Sequence, residues 1–347
     1  MTQRKKRFLN NLITYAMVIL AFIICQTMIS QGMMSRSLRG QLVPICVYVV
    51  MAVSLNLTVG ISGELSLGHA GFMSIGAFSG IVASAWLLGA FQIQNTLVRL
   101  ILALVVGGVF AGAAGVLIGI PVLRLRGDYL AIVTLAFGEI IRNVINCLYI
   151  SMDNGVLHVA FNNPNLPGKL IINGPTGATG NTKIATFVMG FALVLFTLFV
   201  VLNLVNSRSG RAIMASRDNR IAAESMGVNV TKYKMMAFVT SAALAGMAGA
   251  LYGLNYSTVT ATKFKFDTSI LVLVFVVLGG IGSIRGSIIA AALLTVLPEM
   301  LRAFSDYRML VYAVVLILVM LMTNNPKLKL LVGKLIPRRK EKEADAA

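Results

Sequence analysis

Polar residues that share one helical face are the first candidates for chemistry. The apolar stretch 129–150 contains four of them, at offsets 0, 3, 4 and 7: Glu139, Arg142, Asn143 and Asn146. An α-helix places all four on one side. Because charged groups inside such a stretch usually face a protein interior or a watery cavity, this face predicts the lining of a pathway or a subunit contact. The alternative is an ion pair between Glu139 and Arg142 that only stabilises the helix.

Motifs for catalysis and cofactor binding are absent from the sequence. It has no Gly-x-x-x-x-Gly-Lys-Ser/Thr loop for nucleotide phosphates, no Gly-x-Ser-x-Gly elbow and no His-Glu-x-x-His pair. The two histidines, His69 and His158, lie 89 positions apart with no Cys nearby, so no metal site is expected. We therefore expect no enzyme activity, no catalytic residue and no cofactor, and any ATP that drives the protein would be hydrolysed by another subunit.

The composition assigns the chain to a membrane. Of its 347 residues, 57% are hydrophobic and only 12% are charged, whereas about a quarter of the residues in a soluble domain are charged. The mean hydropathy is +0.85. The 30 Lys and Arg against 12 Asp and Glu give a net charge of +18, but so apolar a chain leaves no surface for a basic groove. We expect contact with membrane lipid and none with nucleic acid.

Apolar segments that approach or exceed the roughly 20 residues of a membrane-spanning helix recur along the chain. They are 8–30, 41–60, 65–88, 97–120, 129–150, 183–206, 234–256, 269–300 and 309–323. Lys and Arg concentrate on cytoplasmic loops. The basic run 4–7 therefore places the N-terminus in the cytoplasm, and counting forward places the loop 151–182 outside and the basic segment 207–233 inside. The basic tail 324–347 is also expected inside, so the number of crossings is even.

The segment 269–300 decides the number of crossings. As one helix it would be about 48 Å long, which is too long for one crossing and short for two. Its sequence is interrupted by Leu-Gly-Gly-Ile-Gly-Ser-Ile-Arg-Gly at 278–286, which predicts two helices joined by a turn. The alternative is a single tilted helix. The fold class is therefore an all-α integral membrane protein, a bundle of about 8–10 transmembrane helices with broken or re-entrant segments, in one domain over 1–347.

A second interruption, Gly-Ile-Ser-Gly-Glu-Leu-Ser-Leu-Gly-His at 60–69, separates two apolar segments. Irregular backbone at membrane depth persists only where it is buried in protein or lines a watery cavity. Two such breaks, with the polar face of 129–150 nearby, predict a pathway. Its expected lining residues are Asn56, Gly60, Gly63, Glu64, Ser66, Gly68, His69, Glu139, Arg142, Asn143, Gly279, Gly280, Gly282 and Ser283.

The segment 207–233 contains the signals of a short helix. Asp218 and Asn219 are residues that cap helix starts, and Gly227 is typical of a helix stop. Between them, the small residues Ala222 and Ala223 suit a helix that lies in the groove of another protein. The alternative is an ordinary basic loop at the membrane surface.

Several runs resemble the membrane permease of branched-chain amino acid ABC importers. They are Ser-Leu-Asn-Leu-Thr-Val-Gly at 54–60, Gly-Glu-Leu-Ser-Leu-Gly-His-Ala-Gly-Phe at 63–72, Leu-Arg-Leu-Arg-Gly-Asp-Tyr at 123–129 with its continuation to 142, Ser-Gly-Arg-Ala at 209–212, the segment 221–227, and Leu-Gly-Gly-Ile-Gly-Ser at 278–283. The resemblance extends over roughly residues 45–300.

The resemblance implies a multi-pass permease of the cytoplasmic (inner) membrane that pairs with a second, related permease subunit. Two cytoplasmic ABC ATPase subunits would drive it, and an extracytoplasmic binding protein would deliver branched-chain amino acids for ATP-driven alternating access. In such importers a Glu-Ala-Ala-type loop docks on the ATPase, although the order here is Ala-Ala-Glu-Ser-Met-Gly. The expected coupling residues are Arg217, Asp218, Asn219, Ile221, Ala222, Ala223, Glu224, Ser225 and Gly227.

Two alternatives concern the substrate and the energy source. Related permeases also serve urea and short amides, and the outer loop departs from the usual Thr-Gly-Gly-x-x-Gly-Leu run, since 174–180 reads Gly-Pro-Thr-Gly-Ala-Thr-Gly. An ion-coupled secondary transporter also uses discontinuous helices but needs ionisable groups in the membrane. Glu64 and Glu139 qualify, and neither has an obvious carboxylate partner in the sequence.

Overall fold

The computed structural model describes residues 3–32, 34–125, 127–153, 155–163 and 165–301, with isolated positions between 307 and 317. The elements up to Val296 form one compact unit, and a second unit begins at Leu297. The α-helices in the described part are α1 Gln3–Ser30, α2 Arg36–Asn56, α3 His69–Gly89, α4 Thr96–Val122, α5 Asp128–Asn146, α6 Phe187–Asn206, α7 Arg208–Asp218, α8 Arg220–Ser225, α9 Val230–Gly253, α10 Phe266–Gly279 and α11 Ile284–Met300.

Seven of the described helical segments are long and apolar enough to cross a membrane. They are Asn11–Ser30, Arg36–Ile61, His69–Gly89, Thr96–Val122, Tyr129–Asn146, Phe187–Asn206 and Val230–Gly253. The shorter α10 is also apolar. The predicted fold class, a helical multi-pass membrane protein, is confirmed.

The predicted break within 269–300 is present. α10 ends at Gly279, a turn occupies 280–283, and α11 begins at Ile284, so the alternative of one tilted helix is wrong. Most of the predicted span 309–323 and the whole basic tail 324–347 lie outside the described residues. The even number of crossings and the cytoplasmic termini therefore stay predictions.

Glycines allow α3, α4 and α9 to pack closely at the centre of the bundle. A side-chain carbon on Gly76 of α3 would lie 2.0 Å from the carbonyl oxygen of Gly246 on α9, and one on Gly249 would lie 1.9 Å from that of Met73. On α4, Gly115 would meet Ala242 at 2.8 Å. The backbones of these helices thus touch, as small residues at helix interfaces permit. The repeated glycines of these helices are packing positions.

Polar caps fix where several helices begin. Ser35 accepts a hydrogen bond from the backbone N–H of Leu38 at the start of α2, and Asn95 caps α4 in the same way. Ser207, Asn219 and Asn229 cap α7, α8 and α9. Each such cap contributes roughly 1 kcal/mol to helix stability. The last three caps divide the basic segment 207–233 into separate helices instead of one loop.

A five-stranded antiparallel sheet lies beside the helices, and the sequence did not predict it. Its strands are β1 Leu148–Asp153, β2 Val156–Phe161, β3 Lys169–Asn173, β4 Ala178–Thr179 and β5 Thr258–Val259, in the order β2-β1-β3-β4-β5. The predicted helix 129–150 therefore ends early, at Asn146, and much of the loop 151–182 is strand. β5 follows α9 directly, so the sheet joins this region to the end of that helix.

Candidate functional site

The two predicted breaks touch each other. α2 continues into a turn of π-helix at Leu57–Ile61, and irregular backbone follows until α3 begins at His69. A side-chain carbon on Gly60 would lie 2.3 Å from the backbone nitrogen of Gly282, in the turn between α10 and α11. Two interruptions more than 200 residues apart in sequence thus form one contact. Isolated π-helical turns are frequent at functional sites.

Asn56 holds this contact together with its side-chain amide. It is completely buried at the end of α2. Its Oδ1 accepts a hydrogen bond of 2.8 Å from the N–H of Gly282, and its Nδ2 donates one of 2.9 Å to Ser287 Oγ on α11. The amide therefore joins the first break to the turn of the second and to the helix that follows it. Ser287 was not among the predicted lining residues.

Of the predicted residues, Gly279 ends α10, and Gly280, Gly282 and Ser283 lie in the turn between α10 and α11. Gly280 has a φ of +92° and Gly282 a φ of +83°, a backbone conformation that favours glycine. A side-chain carbon on Gly279 would lie 2.3 Å from the backbone of Gly286, so the two helices meet closely here. The N–H of Ser283 donates to the carbonyl of Gly280 at 2.9 Å. These residues shape a tight reversal of the chain.

Two cations reach the first break, one from the basic segment 207–233 and one from the residue that follows it. Arg217, near the end of α7, donates a 2.9 Å hydrogen bond from Nη1 to the carbonyl of Gly60, and its stem lies against Gly63. Lys234, near the start of α9, forms an ion pair with Glu64, and each side chain of that pair is only 13% exposed. Lys234 was not among the predicted lining or coupling residues. The signal that could have identified it is Glu64, since a carboxylate among apolar residues needs a partner.

Ser66, Gly68 and His69 lie at the other end of the break, where α3 begins. A side-chain carbon on Gly68 would lie 2.2 Å from the carbonyl oxygen of Thr134 on α5. His69 is 2% exposed, and its Nε2 lies 2.8 Å from Ser54 Oγ on α2. The histidine therefore lies in the core between helices and away from the Gly60–Gly282 contact.

Three hydroxyls along the first break are buried without a hydrogen-bond partner among the described residues. They belong to Thr58, Ser62 and Ser66, which are 2%, 1% and 2% exposed. A buried hydroxyl that lacks a partner costs about 1–3 kcal/mol. Such unsatisfied groups are few in folded proteins, and here three of them occur at intervals of four residues in one segment.

Glu139 and Arg142 form the i,i+3 ion pair that the sequence offered as an alternative. Arg142 Nη2 lies 2.7 Å from Glu139 Oε2, the side chains are 21% and 32% exposed, and Asn143 is exposed. Glu139 also borders a small cleft that contains Gly71 of α3 and Ser269 of α10. The ion pair does not exclude a lining role, because the face remains partly open beside the start of α3.

The basic segment presents a short helix, as predicted. Asn219 caps α8 through a hydrogen bond from the N–H of Ala222, whereas Asp218 binds Arg217 instead of acting as a cap. Gly227 ends the helix with a φ of +79°, as C-terminal glycines commonly do. Arg220 and Glu224 pair at 2.8 Å across one turn.

The exposed surface of α8 differs from the prediction. Ala223 is 6% exposed and packs into its own chain, so of the two alanines Ala222 alone faces outward. The large apolar residues Ile221 and Met226 are 80% and 83% exposed instead. Met226 was not among the predicted coupling residues. The sequence feature that could have identified it is an apolar residue next to the glycine that ends the helix. Ser225 is exposed and bonds to the carbonyl of Ala222.

Within the described ranges, no group of three or more His, Cys, Asp or Glu side chains is placed to hold a metal ion. The contacts of the site are hydrogen bonds, ion pairs and close backbone approaches. They arrange and join helices.

These features define a polytopic helical membrane protein whose helices are interrupted and whose interruptions meet a basic segment. The chain belongs to the family described as the permease component of the branched-chain amino acid transport system, whose model matches residues 38–320. It is a transport component and a multi-pass membrane protein.

Relatives of two kinds are similar to the chain. It is 36% identical to the high-affinity branched-chain amino acid transport system permease protein LivM of Salmonella typhimurium, over 83% of this chain and 71% of that protein. It is also 36% identical to LivM of Escherichia coli, over 83% and 70%. The permease protein LivH of Salmonella typhimurium is 25% identical, over 79% and 88%. No solved structure matches the chain significantly.

Proposed function

We propose that the chain is the permease subunit of a binding-protein-dependent ABC importer that translocates branched-chain amino acids across the cytoplasmic membrane. Two cytoplasmic ATPase subunits would drive it, and an extracytoplasmic binding protein would supply the substrate. The observation that carries this proposal is the Arg217–Gly60 hydrogen bond, because it attaches the basic segment to the place where both broken helices meet.

The second permease subunit is proposed from the two kinds of relatives. LivM and LivH are both named as permeases of branched-chain amino acid transport, and the chain is similar to both, with higher identity to LivM. A chain of the LivM kind would therefore pair with one of the LivH kind. The partly open face of Glu139, Arg142 and Asn143 suits this subunit contact or a path beside it.

The two breaks supply the moving part of the transport path. Irregular backbone in a spanning segment has to be buried or line a watery cavity. The close approach of Gly60 to Gly282 supports a path that is closed at this point in the conformation described here. Branched-chain amino acids are zwitterions with apolar side chains, so a route lined by glycine and small polar groups suits them. Alternating access then requires Gly60 and Gly282 to separate.

The exposed helix α8 is the proposed contact with the ATPase. Ile221 and Met226 project from it into solvent, and a short helix with apolar projections fits a groove on another protein. In the proposed orientation, 207–233 and both termini are cytoplasmic, whereas the sheet region within 151–182 faces outward. The ATPase and the binding protein would thus act at opposite ends of the same helices.

Uptake into vesicles tests this proposal. Vesicles would contain this chain, its partner permease and the ATPases, with the binding protein on the outer side, and would be offered labelled leucine or labelled urea with and without internal ATP. We expect leucine uptake that requires ATP. Urea uptake in place of leucine would contradict the substrate, and uptake that follows a sodium or proton gradient and ignores ATP would contradict the importer mechanism.

The docking surface has its own test. The double variant Ile221→Asp/Met226→Asp should lose copurification with the ATPases and at least about tenfold of ATP-dependent uptake, because two charges replace the apolar contact. The matched control Ile221→Leu/Met226→Leu keeps the apolar surface and should retain both. Normal uptake by the aspartate variant would exclude α8 as the contact.

A further inference from the structure

The basic segment and the adjoining Lys234 contact the first break at two separate points. Arg217 comes from the end of α7 and Lys234 from the start of α9, and the exposed helix α8 lies between them in sequence. Both cations reach the same stretch, 57–68, although they act on different groups. A displacement of α8 would therefore pull on the break through both neighbouring helices.

Arg217 contacts the break through a backbone carbonyl group. Its Nη1 donates to the carbonyl of Gly60, and its Nε and Nη2 both bond to Asp218 Oδ1 at 3.0 and 2.8 Å, which orients the guanidinium. Gly63, with a φ of +76°, leaves room for the stem, since a side-chain carbon there would lie 2.5 Å from Arg217 Cγ. The planar, multiply bonded guanidinium is a geometry that lysine does not reproduce.

Lys234 contacts the break through the charged side chain of Glu64. Its ion pair with Glu64 is largely removed from solvent, and loss of one partner from such a pair leaves an uncompensated charge in a poorly solvated place. The pair therefore strongly favours the conformation in which the two residues meet. Lys232, two residues earlier on α9, is exposed and provides an internal comparison.

The break also contains polar groups that an opened path would expose. The hydroxyls of Thr58, Ser62 and Ser66 are buried in the closed arrangement. Opening would allow water or a zwitterionic substrate to bond to them, whereas the two cationic contacts keep the break closed.

We propose that Arg217 and the Glu64–Lys234 ion pair form a two-point latch. The latch keeps the break 57–68 closed on the 280–283 turn until the basic segment that contains α8 moves. The latch rests on the proposed function, because it requires an ATPase that displaces α8. It assigns Arg217, Glu64 and Lys234 as positioning residues that link ATP hydrolysis to opening of the path. Release of both contacts would let Gly60 separate from Gly282.

The test uses the complete reconstituted importer and two readouts, ATP hydrolysis without binding protein and ATP-dependent leucine uptake with it. The variants are Lys234→Met, Glu64→Gln, their double variant and Arg217→Lys, with Lys232→Met as the matched control. If the latch restrains the closed state, Lys234→Met should raise unstimulated ATP hydrolysis about fivefold or more and lower uptake by a similar factor. Lys232→Met should change neither.

The double variant distinguishes a pair from two independent residues. Because Glu64 and Lys234 act together, Glu64→Gln/Lys234→Met should be no worse than Lys234→Met alone, whereas independent residues give additive effects. Additive effects, or a Lys234→Met importer that behaves like Lys232→Met, would overturn the latch. Arg217→Lys changes a side chain that is 40% exposed, so we expect this variant to fold. It tests the latch if the Glu64 and Lys234 variants do not assemble. Unchanged coupling of ATP hydrolysis to uptake in Arg217→Lys would also overturn the latch.

The wild-type importer separates the two proposals. If it takes up leucine with ATP while every latch variant remains coupled, the proposed function stands and the latch is wrong. If the wild-type complex shows no ATP-dependent uptake, the proposed function fails, and the latch fails with it.

Discussion

Glycines bring helices together in two regions of this protein, and the two contacts differ in what surrounds them. In the centre of the bundle, Gly76 and Gly249 place α3 against α9 within regular helices and among apolar neighbours. At the meeting of the two breaks, Gly60 approaches Gly282 between irregular segments, and an amide, an ion pair and an arginine surround it. The first contact is a fixed joint, because separating it would open a void in the core. The second is held by polar groups that water can replace, and the proposed alternating access requires it to open and close.

The largest effect is expected at the fixed joint. Gly76→Val would place side-chain atoms within the van der Waals radius of the Gly246 carbonyl, so we expect a loss of about 3 kcal/mol or more of stability and little folded protein. Gly112→Ala on α4 is the control, because its nearest neighbour would lie at 3.4 Å, and it should leave stability unchanged or slightly raised. Thermal unfolding in detergent measures both. Equal stabilities would contradict the fixed joint.

A smaller change in stability and a large change in transport are expected for Gly60→Ala. The added methyl would meet the Gly282 backbone and Asn56 Oδ1, so the breaks would no longer close on each other. We expect uptake to fall about tenfold or more while the protein still assembles with its partners. If Gly60→Ala instead unfolds the protein as Gly76→Val does, the two regions are equivalent and the comparison fails.

Asn56→Ala should have a moderate effect. It removes the acceptor for the Gly282 N–H and the donor to Ser287 Oγ, and buried groups left in this way cost about 1–3 kcal/mol. We expect uptake to fall about fivefold. Ser287→Ala removes only one of the two bonds and should have less effect. Measurement of uptake and unfolding for both variants would show whether the amide joins the breaks, since equal effects would argue against it.

The smallest effect is expected for Glu139→Gln, which lies in neither region. The Glu139 carboxylate accepts from Arg142, and the amide oxygen of glutamine can still accept a hydrogen bond from that guanidinium. We expect uptake within about threefold of the wild type and nearly unchanged unfolding. A tenfold loss of uptake at unchanged stability would show that the Glu139 carboxylate takes part in transport. The face of α5 that contains Glu139 would then be a third region to compare with the two glycine contacts.

The sequence predicted the breaks well because they depend on local signals. The length of 269–300 fits neither one nor two full crossings, and its glycines mark the turn that the structure has between α10 and α11. It did not predict that the breaks meet. Asn56 and Gly282 are 226 residues apart, and no local pattern relates residues so distant when several packings satisfy the same apolar faces.

The sheet was missed for a different reason. β1 and β2 are short apolar runs next to a spanning helix, and such runs are indistinguishable from a helix end by periodicity alone. The sequence Asn154-Gly155 between them is a hairpin signal, and Gly155 does adopt a φ of +83°. For α8, the helix and its stop were predicted, but which alanine faces outward was not, because six residues define no reliable face.

The continuity of α9 has a mechanical consequence. This helix runs unbroken from Val230 to Gly253, has Lys234 close to one end, and continues into β5 at the other, where β5 pairs with β4. At 1.5 Å per residue it is a rod about 36 Å long, and a tilt of about 10° would move one end by roughly 6 Å relative to the other. In the proposed orientation, such a tilt would carry a movement at the cytoplasmic segment 207–233 to the sheet at the opposite end of the helix.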